Sequence, residues 1–242
     1  VEQGQGEGSP VVLLHQVPRS VDEYLEVQVL LASRHRTIAM DFPGYGSSDP
    51  VPGQPLIEDY ARAVIDVLDA RSIARATFVG HHTGAVVAVE LAAAFADRVD
   101  RVILSGPIFA DGAMRAELSR MFKQWRIAAD GSHLKEKWDA FSRWQGDPVL
   151  VQRFVTDLLR AGETSEQGHV AVAHYRMEER VPRLRCPALL LYHGKDPFAD
   201  PKRARPLRDG FKPAEEAFLD AGVFAANERP EAFAKAILDY LG

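Results

Sequence analysis

"FVGHHTGAVVAVELAAAF", residues 78–95, decides the fold. A β-like apolar run ends in Val79-Gly80, and four residues later Gly84 opens a long Ala/Val-rich helix. Strand, tight Gly-x-x-x-Gly turn and helix together form the corner on which a nucleophile is presented, with small flanking residues letting the chain bend sharply. The middle position is expected to carry Ser, Asp or Cys. Here it carries His82.

Working outward, short apolar runs recur on both sides of this corner. "VVLLH" (11–15), "RTIAMD" (36–41), "ATFVG" (76–80), "RVILSG" (101–106), "PALLLYHG" (187–194) and "EEAFLD" (215–220) read as strands. "SVDEYLEVQVLLAS" (20–33), "IEDYARAVIDVLDA" (57–70), the segment from Thr83 and "RPEAFAKAILDYL" (229–241) read as helices, the first with Ser20 and Glu23 as a capping box. "EQGQGEGSP" (2–10) reads as a Gly-rich turn. Strands alternating with amphipathic helices predict an α/β fold, a mostly parallel sheet flanked by helices. The alternation breaks over residues 108–185, which carry helical periodicity and three tryptophans (Trp125, Trp138, Trp144) but no convincing strand. The expected organisation is a core of residues 1–107 and 186–242 with residues 108–185 inserted as a helical cap.

Composition narrows the function classes. With 242 residues, 46% of them hydrophobic and 26% charged, the chain suits one α/β domain with an insertion and a real core. A net charge of -5 without a Lys/Arg run argues against nucleic acid or a membrane surface as partner. "KRARPLR" (202–208) reads as the basic face of a helix. One cysteine, Cys186, excludes an intrachain disulfide and a cysteine-rich metal site, and reads as a packed thiol. No apolar run reaches spanning length and no signal-peptide pattern opens the chain, so a cytoplasmic setting is expected. The expected partner is a small molecule. Composition is silent on oligomeric state.

Five motifs in order give the chain a resemblance to the α/β-hydrolase fold family over nearly its whole length. "VVLLHQVP" (11–18) resembles the family's strand and oxyanion turn, and "MDFPGYGSSDP" (40–50) its Asp-x-x-Gly-x-Gly-x-Ser loop. "FVGHHTGA" (78–85) sits at the nucleophile corner. "LLLYHGKDPFADP" (189–201) resembles the strand ending at the catalytic acid, and "DAGVFAANERPEAF" (220–233) the segment that delivers the catalytic histidine. The resemblance implies hydrolysis of a small carbonyl substrate, an ester or lactone, without a cofactor. It implies oxyanion donors at the backbone N–H groups of Val17 and Thr83, and an acid at Asp196, with Asp200 as fallback. It also implies cap residues His174 and Tyr175 facing the pocket.

The chemistry departs from that pattern. No Gly-x-Ser-x-Gly occurs in the chain, Val223 stands where the resemblance puts the catalytic histidine, and Gln16 replaces the usual Gly of the oxyanion turn. A Ser–His–Asp relay is therefore absent. Burial and the positive end of the helix predict a neutral His82 at pH 7, able to take a proton or attack an electrophile, with Asp196 fixing its tautomer. Three functions remain open: hydrolysis centred on His82, cofactor-free lyase or isomerase chemistry of the kind the fold also hosts, and a catalytically silent ligand-binding pseudohydrolase.

Arg19 and Gln16, beside the oxyanion turn, are candidate substrate contacts, Arg19 being set against an ordinary surface arginine. The tryptophans are read either as pocket lining or as lid packing. Asp41 is expected to fix its loop, and His193 to be structural. His35, His133 and His169 lie in polar contexts and are expected to be exposed. A metal site from His15, His81, His82 and Asp41 is disfavoured. The first two are expected to make structural hydrogen bonds, and adjacent His81 and His82 to point in different directions.

Overall fold

A computed structural model describes residues 1–6, 8–122 and 125–242. Residue 7 of the expected Gly-rich turn and residues 123–124 of the expected insertion lie outside the described residues. The core elements are β1 (Glu2–Gln3), β2 (Val11–Leu14), α1 (Leu25–Ala32), β3 (Thr37–Met40), α2 (Ile57–Ala70), β4 (Ala76–His81), α3 (Thr83–Ala94) and β5 (Val99–Ser105). Four helices follow: α4 (Gly112–Met121), α5 (Ser132–Phe141), α6 (Pro148–Ala161) and α7 (Gln167–His174). The chain then returns with β6 (Ala188–His193), α8 (Arg205–Gly210), β7 (Ala214–Leu219), α9 (Ala225–Glu228) and α10 (Pro230–Leu241).

The sheet runs β1-β3-β2-β4-β5-β6-β7, with every pair parallel except β1 against β3. β1 occupies part of the expected Gly-rich turn. Its two residues pair with Thr37 and Ile38, and backbone pairing outweighs the turn composition there. β2, β3, β4 and β6 are buried along their whole length, as expected for parallel strands covered on both faces. Their side chains alternate between two cores. Val12, Leu14 and Phe78 face α2 and α3, while Val11, Leu13 and Val79 face α1 and α10. The edge strand β7 is exposed or half-buried throughout, with Glu215 and Glu216 outward, which blunts a free edge.

Two local readings change. Ser20 accepts from the Asp22 amide, but the Glu23 carboxylate turns away from the helix to Gln16, so no capping box forms. The first turn is a 3-10 helix over Val21–Tyr24. Cys186 is half-buried against the core, and burial pushes its thiol up to about 11. Among the described residues no helix is long and apolar enough to cross a membrane.

Two glycines let α3 dock on the sheet. A Cβ on Gly84 would stand 2.0 Å from the Leu14 carbonyl oxygen, and one on Gly80 would stand 2.2 Å from the Gly84 oxygen. The start of α3 is thus pressed against the ends of β2 and β4, and Thr83 through Ala92 are all buried. Backbone cannot give way as a side-chain tip can. Gly84→Ala is accordingly expected to cost about 3 kcal/mol, the upper end for overpacking. Urea unfolding should show a lowered midpoint at unchanged slope.

Candidate active site

His82 sits between β4 and α3 with φ 43° and ψ -106°. A non-glycine residue in that region is strained, by about 1–3 kcal/mol. Its amide donates to the Ser105 carbonyl at 3.0 Å and its carbonyl accepts from Val86 at 3.0 Å, so both neighbouring elements hold the turn. The loop after β6 brings in Asp196. His82 Nε2 lies 2.6 Å from Asp196 Oδ2, and the Phe198 amide donates to Oδ1 at 2.9 Å. Gly106, at φ 56°, makes room for the pair: a Cβ there would stand 2.5 Å from His82 Cδ2 and 3.1 Å from Asp196 Oδ2.

The electrostatics reverse one expectation. Burial alone would lower the pKa of His82, but the charge and hydrogen bond of Asp196, with Glu23 further off, outweigh it and raise the pKa above the ordinary histidine value. Burial likewise opposes ionisation of Asp196. The His82 charge and the donated hydrogen bonds overcome it, holding the carboxyl well below the usual range. With Nε2 committed to Asp196, Nδ1 is the nitrogen left over, and it makes no hydrogen bond among the described residues.

Behind His82 lies a buried histidine stack. The His81 and His82 rings stack at 4.4 Å, and His81 and His193 at 5.2 Å, so the adjacent histidines do not diverge as expected. The Ser105 hydroxyl bridges His81 Nδ1 at 2.9 Å and His193 Nε2 at 3.1 Å, donating to one and accepting from the other. Burial lowers the pKa of both histidines and keeps them neutral. His193 Nδ1 is 3.6 Å from Asp196 Oδ2, just beyond hydrogen-bond reach. His15 is spent elsewhere: the Phe42 amide donates to Nε2 at 2.9 Å, which leaves Nδ1–H for the Gln16 carbonyl at 2.8 Å. Asp41 accepts from the Val21 and Ser47 amides.

A cavity of about 620 Å³ opens over His82. Gln16, Val17 and Thr83 line it beside His82, and Val223 and Phe224 close one flank. Among the described residues the Val17 and Thr83 amides donate to no acceptor. Glu23, fully buried, clamps the turn that carries Val17. Its carboxylate accepts from the Gln16 amide at 2.7 Å and from Gln16 Nε2 at 3.2 Å, while Gln16 Nε2 also donates to the Val223 carbonyl at 3.0 Å. Burial pushes Glu23 up to about 7 against the pull of Arg19 and these donors.

The sequence model of the alpha/beta hydrolase fold matches residues 9–230. The chain belongs to the α/β-hydrolase fold family. It is 26% identical to Esterase YbfF of Escherichia coli (strain K12) over 99% of this chain and 95% of that protein. The crystal structure of a hydrolase from Pseudomonas aeruginosa PA01 superposes with a TM-score of 0.82 at 22% identity, covering 100% of this chain and 93% of that one. An enol-lactonase from Burkholderia xenovorans LB400 gives 0.77 at 25% identity, covering 100% and 95%.

The structure redistributes the other candidates within this α/β-hydrolase frame. Arg19 is neither a substrate contact nor a surface residue. It is 0% exposed and donates to Asp157 on α6 at 2.8 Å, Asp22 at 2.7 Å and Asn227 at 2.9 Å. His174 is exposed and outside the cavity wall. Tyr175 is buried and donates to Glu90 at 2.7 Å, so its hydroxyl is occupied away from the cavity. Asp200 is exposed and caps the Lys202 amide. Trp125 and Trp144 line the cavity, but Trp138 does not. His133 and His169, expected to be exposed, are half-buried and line it, as does Glu166. One turn separates Glu166 from His169, a spacing that signals pairing on a helix face but not which way that face looks.

Two outcomes follow from the packing. Gly106→Ala is expected to split the His82–Asp196 pair, and NMR titration of the His82 imidazole should then show its pKa falling from its raised value. Arg19→Met leaves Asp157 and Asp22 without their buried partner, and denaturant unfolding should register a loss of about 3 kcal/mol.

Proposed function

We propose that this chain hydrolyses a small ester or lactone, with His82 as general base rather than as a replacement nucleophile. The observation that carries this reading is the 2.6 Å contact of His82 Nε2 with Asp196 beneath the cavity, which leaves Nδ1 as the ring's remaining base. Nδ1 takes a proton from water as the water oxygen bonds the carbonyl carbon. The carbonyl oxygen becomes an oxyanion and accepts from the Val17 and Thr83 amides. Collapse breaks the C–O bond to the leaving group, and the imidazolium returns its proton to that oxygen. Asp196 stays ionised throughout and holds the tautomer. With Val223 in place of a second histidine, one imidazole serves as both base and acid. The inserted helices act as the lid that excludes bulk water. The names borne by similar proteins, an esterase and an enol-lactonase, agree with this substrate class.

The base works only when neutral. Since Asp196 raises the pKa of His82, kcat/KM should rise with pH through an inflection above the ordinary value of about 6.5. Asp196→Asn should move that inflection down, because the charge favouring the imidazolium is gone, and should lower the plateau about a hundredfold by loss of the oriented tautomer. Short-chain aryl esters and lactones are suitable substrates, and His82→Ala should abolish turnover above background. Turnover unchanged in His82→Ala would remove His82 from the mechanism. Exchange of the α-proton of a bound carbonyl ligand without hydrolysis would instead mark the site as an enolising base.

A further inference from the structure

The cap side of the cavity carries charge that the hydrolytic reading does not use. Lys137, on α5, has a side chain only 13% exposed, and its ammonium lies 5.3 Å over the Trp125 ring. Among the described residues its sole carboxylate within 4 Å is its chain neighbour Glu136, at 3.8 Å and itself 74% exposed. A half-buried ammonium with so weak a partner is costly unless something else neutralises it. His133 stacks on the same indole at 5.7 Å. The Ala128 amide donates to its Nδ1 at 3.1 Å, so the neutral ring carries its proton on Nε2 and offers a donor. Arg126, next to Trp125 in the chain, is exposed, lines the same cavity and makes no ion pair among the described residues. Of the carboxylates on this wall, Glu166 is bonded to His169 at 2.7 Å, and Glu136, which also lines the cavity, is largely exposed; the Trp125 N–H donates to Ser165 at 2.8 Å and is not free for a guest.

We propose that Lys137, Arg126 and His133, grouped around Trp125, form a carboxylate seat, so that the molecule this cavity accepts carries an anionic group held by the cap. For substrate class this rests on the ester or lactone reading, and it narrows that class to esters or lactones bearing a carboxylate. Arg supplies a fork of donors and Lys a point charge, the two modes by which proteins hold carboxylates. The apolar wall between His82 and the seat, including Val86, Ile108 and Val172, suits a hydrocarbon spacer.

The test is binding rather than turnover. Hexanoate and its neutral isostere hexanamide are titrated against the full chain by tryptophan fluorescence and thermal shift. Hexanoate should bind at least about tenfold more tightly, a preference that weakens with salt. Lys137→Met and Arg126→Met, both on the partly exposed cap, should each erode that preference and together abolish it, while hexanamide binding stays unchanged. Equal binding of the two probes, no binding of hexanoate up to its solubility, or a preference that survives in the folded double variant would overturn the proposal. The last result would place the carboxylate at the Val17 and Thr83 amides instead. Hexanoate preference retained in a chain that turns over no ester would overturn the hydrolytic reading and leave the seat standing.

Discussion

Everything at this site depends on how closely α3 approaches the ends of β2 and β4. The Leu14 carbonyl and the start of α3 leave no room for a side chain at Gly84, and Gly80 faces the same restriction from the other side. That proximity forces the intervening residue into a left-handed turn and stands it on the sheet's carboxyl edge. It also sets the Thr83 amide at the cavity wall, near the Val17 turn. The strain at His82 is small beside the apolar surface buried by α3, so the fold sustains it.

Once an imidazole occupies that corner, the rest of the site reorganises around its shape. A hydroxyl there would need a separate base. In the proposed mechanism an imidazole serves as its own base and needs only an orienting carboxylate, and Asp196 lies 2.6 Å from His82 Nε2. The buried stack of His81 and His193 then acts as a neutral backing, tied through Ser105 and unable to compete for the proton. In the same mechanism no second ring is required at Val223, which lines the cavity. Under that mechanism, the absence of a serine at the corner and of a histidine at Val223 are explained together.

The fold was legible in the sequence because strand burial and the glycine corner are written in local periodicity and spacing. All six expected strands are present, with ends displaced by a residue or two in either direction. The His82–Asp196 proximity was likewise legible through the motif that ends β6. What was not legible depends on tertiary charge. Helix position and burial both push the His82 pKa down, and whether a carboxylate contact outweighs them is set by a distance no spacing encodes. Arg19 looked like a surface or substrate residue, because its acidic partner Asp157 lies 138 positions away. His133 and His169 sit among polar neighbours in sequence, and only the packing of the inserted helices turns them inward.

The buried Arg19 cluster fastens α6 to the core, and Glu90 fastens the chain after α7 through Tyr175 and Arg180. α5 precedes both anchor points in the chain, and none of its residues is fully buried, Lys137 and Phe141 being half-buried against Trp125 and Phe154. Elements with few buried apolar contacts are those that open locally at the least cost. Because Lys137 rides on α5, an anionic guest held by it would add a tie between this lightly buried helix and the cavity that the helix lines.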